Sequence, residues 1–216
     1  MNLCATSKIL LIDDHPMLRK GISQLVELED DLDVIAEASN GQDGIQQALL
    51  HNPDLILLDL NMEGMNGIDT LKALKQADVD ARIVIFTVSD SDKDVVAALR
   101  AGADGYILKD SEPEALLQYI REAATGQMVL STKLATIMAT ALKTESNSDN
   151  ASIDDLTERE LQTLKLIALG DSNKHIARKL DITEATVKVH VKHLLKKLKL
   201  RSRVEAAVWA VERGIR

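Results

Sequence analysis

Short apolar runs alternate with amphipathic segments along the first 125 residues of the chain. Three runs, at 9–12, 55–58 and 83–86, are continuously apolar, which is typical of strands buried on both faces of a sheet. Weaker strand candidates lie at 34–36 and 106–108. Segments with helical periodicity lie near residues 16–28, 41–50, 67–77, 92–101 and 112–125. Five β–α units in succession predict a parallel sheet with helices on both faces, because parallel neighbours need crossover connections.

A polar stretch follows this region. Residues 144–155, TESNSDNASIDD, contain one apolar side chain larger than alanine, Ile153, and predict a flexible tether. The preceding segment, 132–143, is rich in Ala and Leu and predicts a helix that leads into the tether. We therefore expect one domain over 1–127, a linker over 128–155 and a second domain over 156–216.

From residue 156 onward the pattern is entirely helical. Thr157 and Glu160 have the spacing of a capping box at the start of an apolar-periodic run that ends at Gly170. Further helices are predicted over 172–180, 183–199 and 202–213. A short helix, a three-residue break and a longer helix have helix-turn-helix spacing, in which the second helix enters the major groove of DNA.

Composition excludes several classes of partner and compartment. Aromatic residues make up 2% of the chain, which disfavours RNA-recognition folds and oligonucleotide-binding barrels that stack bases on rings. The single Cys4 cannot form an intramolecular disulfide, so we expect a reducing, cytoplasmic location. Because the apolar runs are too short for a signal peptide or a transmembrane helix, we expect neither export nor a membrane span.

Charge is distributed unevenly between the two parts. Residues 1–149 carry 12 Lys and Arg against 25 Asp and Glu, a balance of −13, whereas 150–216 carry 14 against 9, a balance of +5. An acidic body with a basic end predicts that the last third of the chain meets a polyanion.

Chemically distinctive side chains follow the predicted strands. Asp13 and Asp14 come directly after the first apolar run, Asp59 after the third, Thr87 at the end of the fourth and Lys109 after the fifth. Carboxyl ends of parallel strands meet at one edge, and a divalent cation such as Mg²⁺ would relieve the repulsion between three carboxylates there. This set can accept a phosphoryl group, with Asp59 as the nucleophile and the cation and Lys109 balancing charge.

Through LLIDDHP, LLDLNMEGMNG, IVIFTVS and GADGYILKD, about residues 8–125 resemble the receiver domain of bacterial two-component response regulators. The resemblance implies a flavodoxin-like (βα)5 fold in which a sensor histidine kinase phosphorylates Asp59 and Tyr106 changes rotamer with Thr87. The implied Mg²⁺ ligands are Asp13, Asp14, Asp59 and the backbone carbonyl of Asn61, and the implied phosphoryl contacts are Thr87 and Lys109. Many receivers have Pro where Glu63 and Asp110 stand, so this resemblance does not fix loop rigidity or the rate of phosphoryl loss.

The segment 183–199, TEATVKVHVKHLLKKLK, has two distinct faces when successive residues turn by about 100°. One is apolar and contains Val187, Val191, Leu194, Leu195 and Leu198; the other is cationic and contains Lys188, Lys192, Lys196 and Lys199. A solvated lysine face is the alternative interpretation. His190 and His193 are three residues apart, but no Cys or carboxylate lies at a suitable nearby spacing, so we expect imidazoles that face solvent or phosphate.

Residues 156–213 resemble the all-α, four-helix helix-turn-helix domain of the NarL/FixJ family, which has a LuxR-type output, through the long run from LTERELQTLKLIALG to RSRVEAAVWA. Within it, TVKVHVKHLLKKLKLRSRVEAAVW is most similar to nitrate/nitrite response regulators. The resemblance implies dimer pairing near 204–211, while Trp209 is either core or a subunit contact. The implied DNA-binding residues are Thr186, Lys188, Val189, His190, Lys192, Lys196 and Arg203.

The two resemblances together imply a phosphorylation-dependent transcriptional regulator, not an enzyme, that controls nitrate- or nitrite-responsive genes. We expect the unphosphorylated receiver to cover the recognition helix, helped by the opposite charges of −13 and +5. Implied partners are a sensor histidine kinase, double-stranded promoter DNA, a second copy of the chain and RNA polymerase. Two alternatives stay open: regulation through protein partners alone, and a Mg²⁺-dependent phosphatase that uses Asp59, although Asn61 stands where that class commonly needs an acidic residue.

Overall fold

The computed structural model describes residues 6–77, 79–127, 129 and 153–215. The helix predicted over 132–143 and residues 144–152 of the tether predicted over 144–155 lie outside these residues, and the predicted domain boundaries remain predictions. Within the described ranges, no helix combines the length and apolar character needed to cross a membrane.

The first part of the chain forms a five-stranded sheet in which every neighbouring pair of strands is parallel. The strands are β1 (Ser7–Ile12), β2 (Leu32–Ala38), β3 (Leu55–Leu58), β4 (Arg82–Thr87) and β5 (Gly105–Leu108), in the order β2-β1-β3-β4-β5. This order confirms the flavodoxin-like prediction. The continuously apolar runs form the three central strands, whereas the weaker candidates belong to the two edge strands, which need less apolar surface.

Five helices cover the two faces of the sheet. They are α1 (Pro16–Val26), α2 (Gly41–His51), α3 (Gly67–Gln76), α4 (Asp92–Ala101) and α5 (Pro113–Thr125). Side chains of α2, α3 and α4, including Ala48, Leu71 and Leu99, share one core cluster with the sheet. Ile22 of α1 and Ile120 of α5 belong to the cluster on the other face. The asparagines before α2 and α3 cap them, since each side chain accepts a backbone N–H of the first turn.

The second part of the chain is entirely helical, as predicted. A short 3₁₀ helix (Ile153–Asp155) precedes α6 (Glu158–Ala168), α7 (Asn173–Leu180), α8 (Glu184–Leu198) and α9 (Arg203–Glu212). Both hydrogen bonds of the predicted capping box between Thr157 and Glu160 are present at α6. Ile153, at the end of the expected tether, packs against this domain's core, because it is the one large apolar side chain available there.

The sequence left open whether Trp209 is a core residue or a subunit contact, and the packing of the helical domain distinguishes the two. Trp209 is 5% exposed and belongs to a cluster with Leu164, Ile176 and Leu194, so it is a core residue. The guanidinium of Arg213 lies 4.2 Å from the centre of its ring system. On the same helix, Val211 is among the exposed large apolar side chains.

The two domains are in direct contact. Val204 of α9 is buried in the receiver cluster that contains Leu99 of α4, and Val208 packs against the same cluster. The Lys188 ammonium of α8 lies 3.1 Å from Asp54 Oδ1, just before β3. Helices α8 and α9 therefore both face the receiver in this arrangement.

Candidate functional site

Three carboxylates meet at the carboxyl edge of the sheet. Asp13 and Asp14 follow β1 and Asp59 follows β3, and these strands are paired neighbours. Possible ligand atoms of Asp13, Asp14, Asp59 and His15 all lie within 4.8 Å of one another. Among the described residues, this is the one group of His, Cys, Asp or Glu close enough to hold a metal ion.

Lys109 holds two of these carboxylates together. Its Nζ lies 2.7 Å from Asp13 Oδ2 and 2.8 Å from Asp59 Oδ2, and all three side chains are buried. The ammonium also lies 5.7 Å from the centre of the Phe86 ring. One positive charge between two buried carboxylates offsets part of their repulsion, and it places Lys109 at the same edge of the sheet as the aspartates.

The second carboxylate oxygen of Asp59, Oδ1, indicates what the site can bind. Asp59 is 2% exposed, yet its Oδ1 has no hydrogen-bond partner among the described residues. A buried carboxylate oxygen is costly unless it is paired, so an atom of this kind fits a bound cation or an incoming phosphoryl group. Carboxylate oxygens are the ligands that Mg²⁺ prefers, and Asn61 follows on an exposed loop two residues later. The donor set therefore fits Mg²⁺.

Residues next to Asp13 and Asp14 complete the site, and sequence reasoning did not select them. The His15 Nδ1 lies 2.8 Å from Asp14 Oδ1 and 3.2 Å from Asp13 Oδ1. The backbone N–H of Glu63 donates a 3.1 Å hydrogen bond to Asp14 Oδ2. The position of His15 directly after two aspartates was the signal available in the sequence. The Glu63 contact carries no such signal, because it joins residues that are 49 positions apart.

Thr87 and Tyr106 lie on neighbouring strands behind the carboxylates. Thr87 ends β4, is fully buried, and its Oγ1 accepts a 3.4 Å hydrogen bond from the backbone N–H of Ser89. The Tyr106 hydroxyl donates to the backbone carbonyl of Ser89 at 2.8 Å, and the ring is 1% exposed. Burial, together with the nearby Asp94, raises the pKa of Tyr106 above its ordinary value. The inward position of Tyr106 is thus tied to the loop that follows Thr87.

Helix α8 carries most of the predicted DNA-binding side chains on one element. Val187 and Leu194 are buried in the domain core, which turns Lys192 and Lys196 outward. Val189 is 49% exposed and is therefore accessible on the surface of α8. Thr186, Lys188 and His190 are half-buried on the same helix.

Arg203 lies apart from this group. It is 9% exposed, and its guanidinium donates to Asn173 Oδ1 at 2.8 Å and to the backbone carbonyl of Asp171. Its guanidinium therefore joins α9 to the start of α7 in this structure. The predicted contact with the DNA backbone stays a prediction for this residue.

Lys188 is paired with the receiver. Burial alone would raise the pKa of Asp54, but the backbone N–H of Lys8 and the Lys188 ammonium hold it below its ordinary value. The pairing places a predicted base-contacting lysine against the receiver, as expected for a covered recognition helix. The nearby receiver wall is not acidic, however: Lys72, Lys75, Arg82 and Arg100 face α8 together with Asp54, Asp80 and Asp104. The balance of −13 therefore does not describe this wall, where the attraction between the domains is the local pair of Lys188 and Asp54.

Both parts of the chain match known protein families. Residues 9–121 match the response regulator receiver domain, and residues 154–210 match the bacterial regulatory proteins of the luxR family. The nitrate/nitrite response regulator protein NarL of Escherichia coli K12 is 56% identical over 96% of this chain and 96% of its own length. NarP of the same organism is 48% identical, with 93% of each chain covered. The solved structure of ChrA, a response regulator in a heme-sensing two-component system, covers 98% of this chain and 100% of its own, with a TM-score of 0.52 and 33% identity.

Proposed function

Since this chain belongs to the response regulators that join a receiver domain to a LuxR-type DNA-binding domain, and acts as a phosphorylation-dependent transcriptional regulator, we propose that Asp59 is its phosphoacceptor. The observation that carries this proposal is the Asp59 side chain itself. One oxygen is held by Lys109 at 2.8 Å and the other is buried without a partner. Such a carboxylate is oriented and ready to form a new bond.

The transfer is a displacement at phosphorus. A carboxylate oxygen of Asp59 forms a bond to phosphorus as the N–P bond of a phosphohistidine on the sensor kinase breaks, and the imidazole leaves with the bonding electrons. Lys109 balances the charge that builds up on the transferred oxygens. Asp13, Asp14, Asp59 and the backbone carbonyl of Asn61 would hold Mg²⁺, which supplies further charge neutralisation when bound.

The new phosphoryl group acts on Thr87 and Tyr106. The Thr87 hydroxyl turns toward a phosphoryl oxygen, which removes the acceptor for the Ser89 N–H. The Ser89 backbone in turn accepts the Tyr106 hydroxyl, so the loop and the ring move together. Tyr106 belongs to the same buried cluster as Val95 and Leu99 of α4, through which the change reaches that helix.

Helix α4 joins this change to the DNA-binding domain. Val204 packs into the receiver cluster that contains Leu99 of α4. The Arg201 guanidinium donates to the backbone carbonyl of Arg100, also on α4, at 2.7 Å. A shift of α4 weakens both contacts and releases α8 and α9. Helix α8 then contacts promoter DNA through Lys188, Val189 and Lys192, while α9 pairs with a second copy of the chain.

The names of the relatives indicate which class of genes this chain regulates. NarL and NarP are named as nitrate/nitrite response regulators, and we infer that this chain controls genes of a nitrate or nitrite response. In this account, the signal reaches the chain as a phosphoryl group from its kinase.

Intact-mass spectrometry tests the proposed phosphoacceptor directly. We expect the wild-type chain to gain one phosphoryl group when it is incubated with Mg²⁺ and acetyl phosphate, and Asp59→Asn to gain none. Asp33→Asn, which changes an exposed aspartate of β2, is the matched control and should behave as wild type. Phosphorylation of Asp59→Asn would contradict the assignment, and continuous release of phosphate over many turnovers would favour the phosphatase alternative.

A further inference from the structure

A cavity of about 1000 Å³ separates the receiver from α8. It lies at the amino ends of β3 and β4, where Asp54 and Arg82 stand, and thus at the opposite end of the sheet from Asp59. Nine Lys and Arg side chains line it against three carboxylates, an excess of six positive charges. The proposed phosphoryl transfer takes place at the other end of the sheet and assigns no ligand to this space.

Both walls contribute to the positive charge. The receiver, although acidic as a whole, supplies four cations, among them Lys72 and Arg100, and the helical domain supplies five, among them Lys192 and Lys196. Two of the three carboxylates are already engaged by lysines that line the cavity: Asp104 by Lys75 at 2.8 Å and Asp54 by Lys188 at 3.1 Å. All three carboxylates lie on the receiver wall, so most of the excess positive charge comes from the helical domain.

Two guanidiniums in the cavity wall are bonded to neutral oxygens. Arg82 donates to the backbone carbonyls of Ala123, at 3.0 Å, and Ala124. Arg203 donates to Asn173 Oδ1 and the carbonyl of Asp171. Burial, and then the neighbouring Arg82 charge, lower the pKa of Arg203 to about 10. Their positive charge is therefore not cancelled by a directly bonded carboxylate, and low-dielectric walls focus it into the cavity.

We propose that this cavity binds a small polyanion that carries a di- or triphosphate group, and that the bound anion holds the receiver against α8. A volume of about 1000 Å³ matches sites that hold ligands as large as a nucleotide. Duplex DNA cannot enter a space between two packed domains, but a small anion can contact cations of both walls at once. Because the anion stabilises the arrangement in which Lys188 is covered, it opposes DNA binding. This inference extends the proposed switch and rests on it for its regulatory consequence.

The probe for the first test is inorganic tripolyphosphate, titrated by calorimetry into the full-length unphosphorylated chain. The buffer is free of Mg²⁺ and of chelators, and KCl keeps the ionic strength constant. We expect one site, and the double variant Lys72→Gln, Arg100→Gln should weaken it by about tenfold, since two cations of the receiver wall are lost. The matched control Lys20→Gln, Lys93→Gln removes two exposed receiver cations outside the cavity and should bind as wild type.

A second measurement tests the link to DNA binding. Tripolyphosphate should lower the DNA affinity of the unphosphorylated wild type more than that of the cavity variant. By reciprocity, phosphorylation of Asp59 should weaken tripolyphosphate binding, because the two walls part. Equal affinity of ATP and tripolyphosphate identifies the phosphate chain as the recognised group, and tighter binding of ATP identifies a nucleotide; both results support the site.

Two results would overturn the proposal. Equal tripolyphosphate affinity in the wild type and the cavity variant would place the anion outside this cavity. If tripolyphosphate inhibited DNA binding equally in the wild type and the cavity variant, it would be competing directly with DNA for the cations of α8. A failure of the phosphorylation switch would be distinguished by DNA affinity that does not change when Asp59 is phosphorylated. The calorimetry uses the unphosphorylated chain and therefore tests the cavity independently of the switch.

Discussion

Arg201 of the DNA-binding domain donates a 2.7 Å hydrogen bond to the backbone carbonyl of Arg100, in the last turn of α4 in the receiver. Carbonyls at the end of a helix lack donors within that helix, so a guanidinium from another domain is a favourable donor to one of them. The same helix contributes Leu99 to the cluster that buries Val204. Helix α4 therefore contacts the DNA-binding domain in two ways, and in the proposed switch it transmits the change at Asp59 to that domain.

Replacement of Asp54 by Asn should favour the uncovered state of α8. The change removes the charge that pairs with Lys188 at 3.1 Å. We expect DNA affinity of the unphosphorylated chain to rise roughly two- to fivefold, because a half-exposed ion pair contributes up to about 1 kcal/mol. Fluorescence anisotropy with a promoter duplex measures the effect, and Asp33→Asn is the control. The same increase in the phosphorylated chain would show that Asp54 acts in another way.

Lys192 tests the assignment of α8 as the recognition helix. It is exposed on the face opposite the core and should contact base edges. In the phosphorylated chain, Lys192→Ala should reduce affinity for a specific duplex by about 1–3 kcal/mol and should affect a random duplex less. Lys165→Ala, an exposed lysine of α6, should leave both affinities unchanged. Equal losses on both duplexes would make Lys192 a phosphate contact.

Much of this arrangement could be predicted from the order of residues along the chain. Asp13, Asp59 and Lys109 each directly follow an apolar run, and parallel strands end at one edge, so local pattern was sufficient to bring them together. Contacts between distant residues were not predictable in this way. Lys188 and Asp54 are separated by 134 positions, and their pairing depends on how two domains pack. Whole-domain charge did not reveal this contact either, since the receiver wall that faces α8 carries four cations and three carboxylates.

Trp209 should dominate the stability of the helical domain. It is buried, and its Nε1 has no hydrogen-bond partner among the described residues, so its contribution is packing. Trp209→Ala should lower the free energy of unfolding by about 3–5 kcal/mol. Trp209→Phe should cost less, since phenylalanine retains more of the buried apolar side chain than alanine does. Urea denaturation followed by circular dichroism compares these variants with Val211→Ala, an exposed position on the same helix. Wild-type stability of Trp209→Ala would contradict the core assignment.

Glu160 should give the helical domain a stability that depends on pH. Burial opposes its ionisation, but the Lys197 ammonium at 2.7 Å and the Thr157 N–H outweigh burial and lower its pKa. The carboxylate therefore stabilises the fold fully above the unfolded-state pKa of about 4.3, and this contribution is lost as pH falls through the lower folded-state pKa.

Melting temperatures measured between neutral pH and about pH 3 follow this loss across the carboxylate range. Glu160→Gln should be less stable than wild type at neutral pH and should lose less stability on acidification. Glu158→Gln, on the exposed face of the same turn, should keep the wild-type profile. Parallel profiles for wild type and Glu160→Gln would show that another group controls the acid response.

The most direct test of the central claim is the affinity of the full-length chain for promoter DNA, with Mg²⁺, in the presence and absence of acetyl phosphate. We expect the donor to raise wild-type affinity by about tenfold or more, equivalent to at least about 1.4 kcal/mol, and to leave the affinity of Asp59→Asn unchanged. An equal response of Asp59→Asn, or strong wild-type binding that ignores the donor, would contradict a switch that connects Asp59 to the DNA-binding helix.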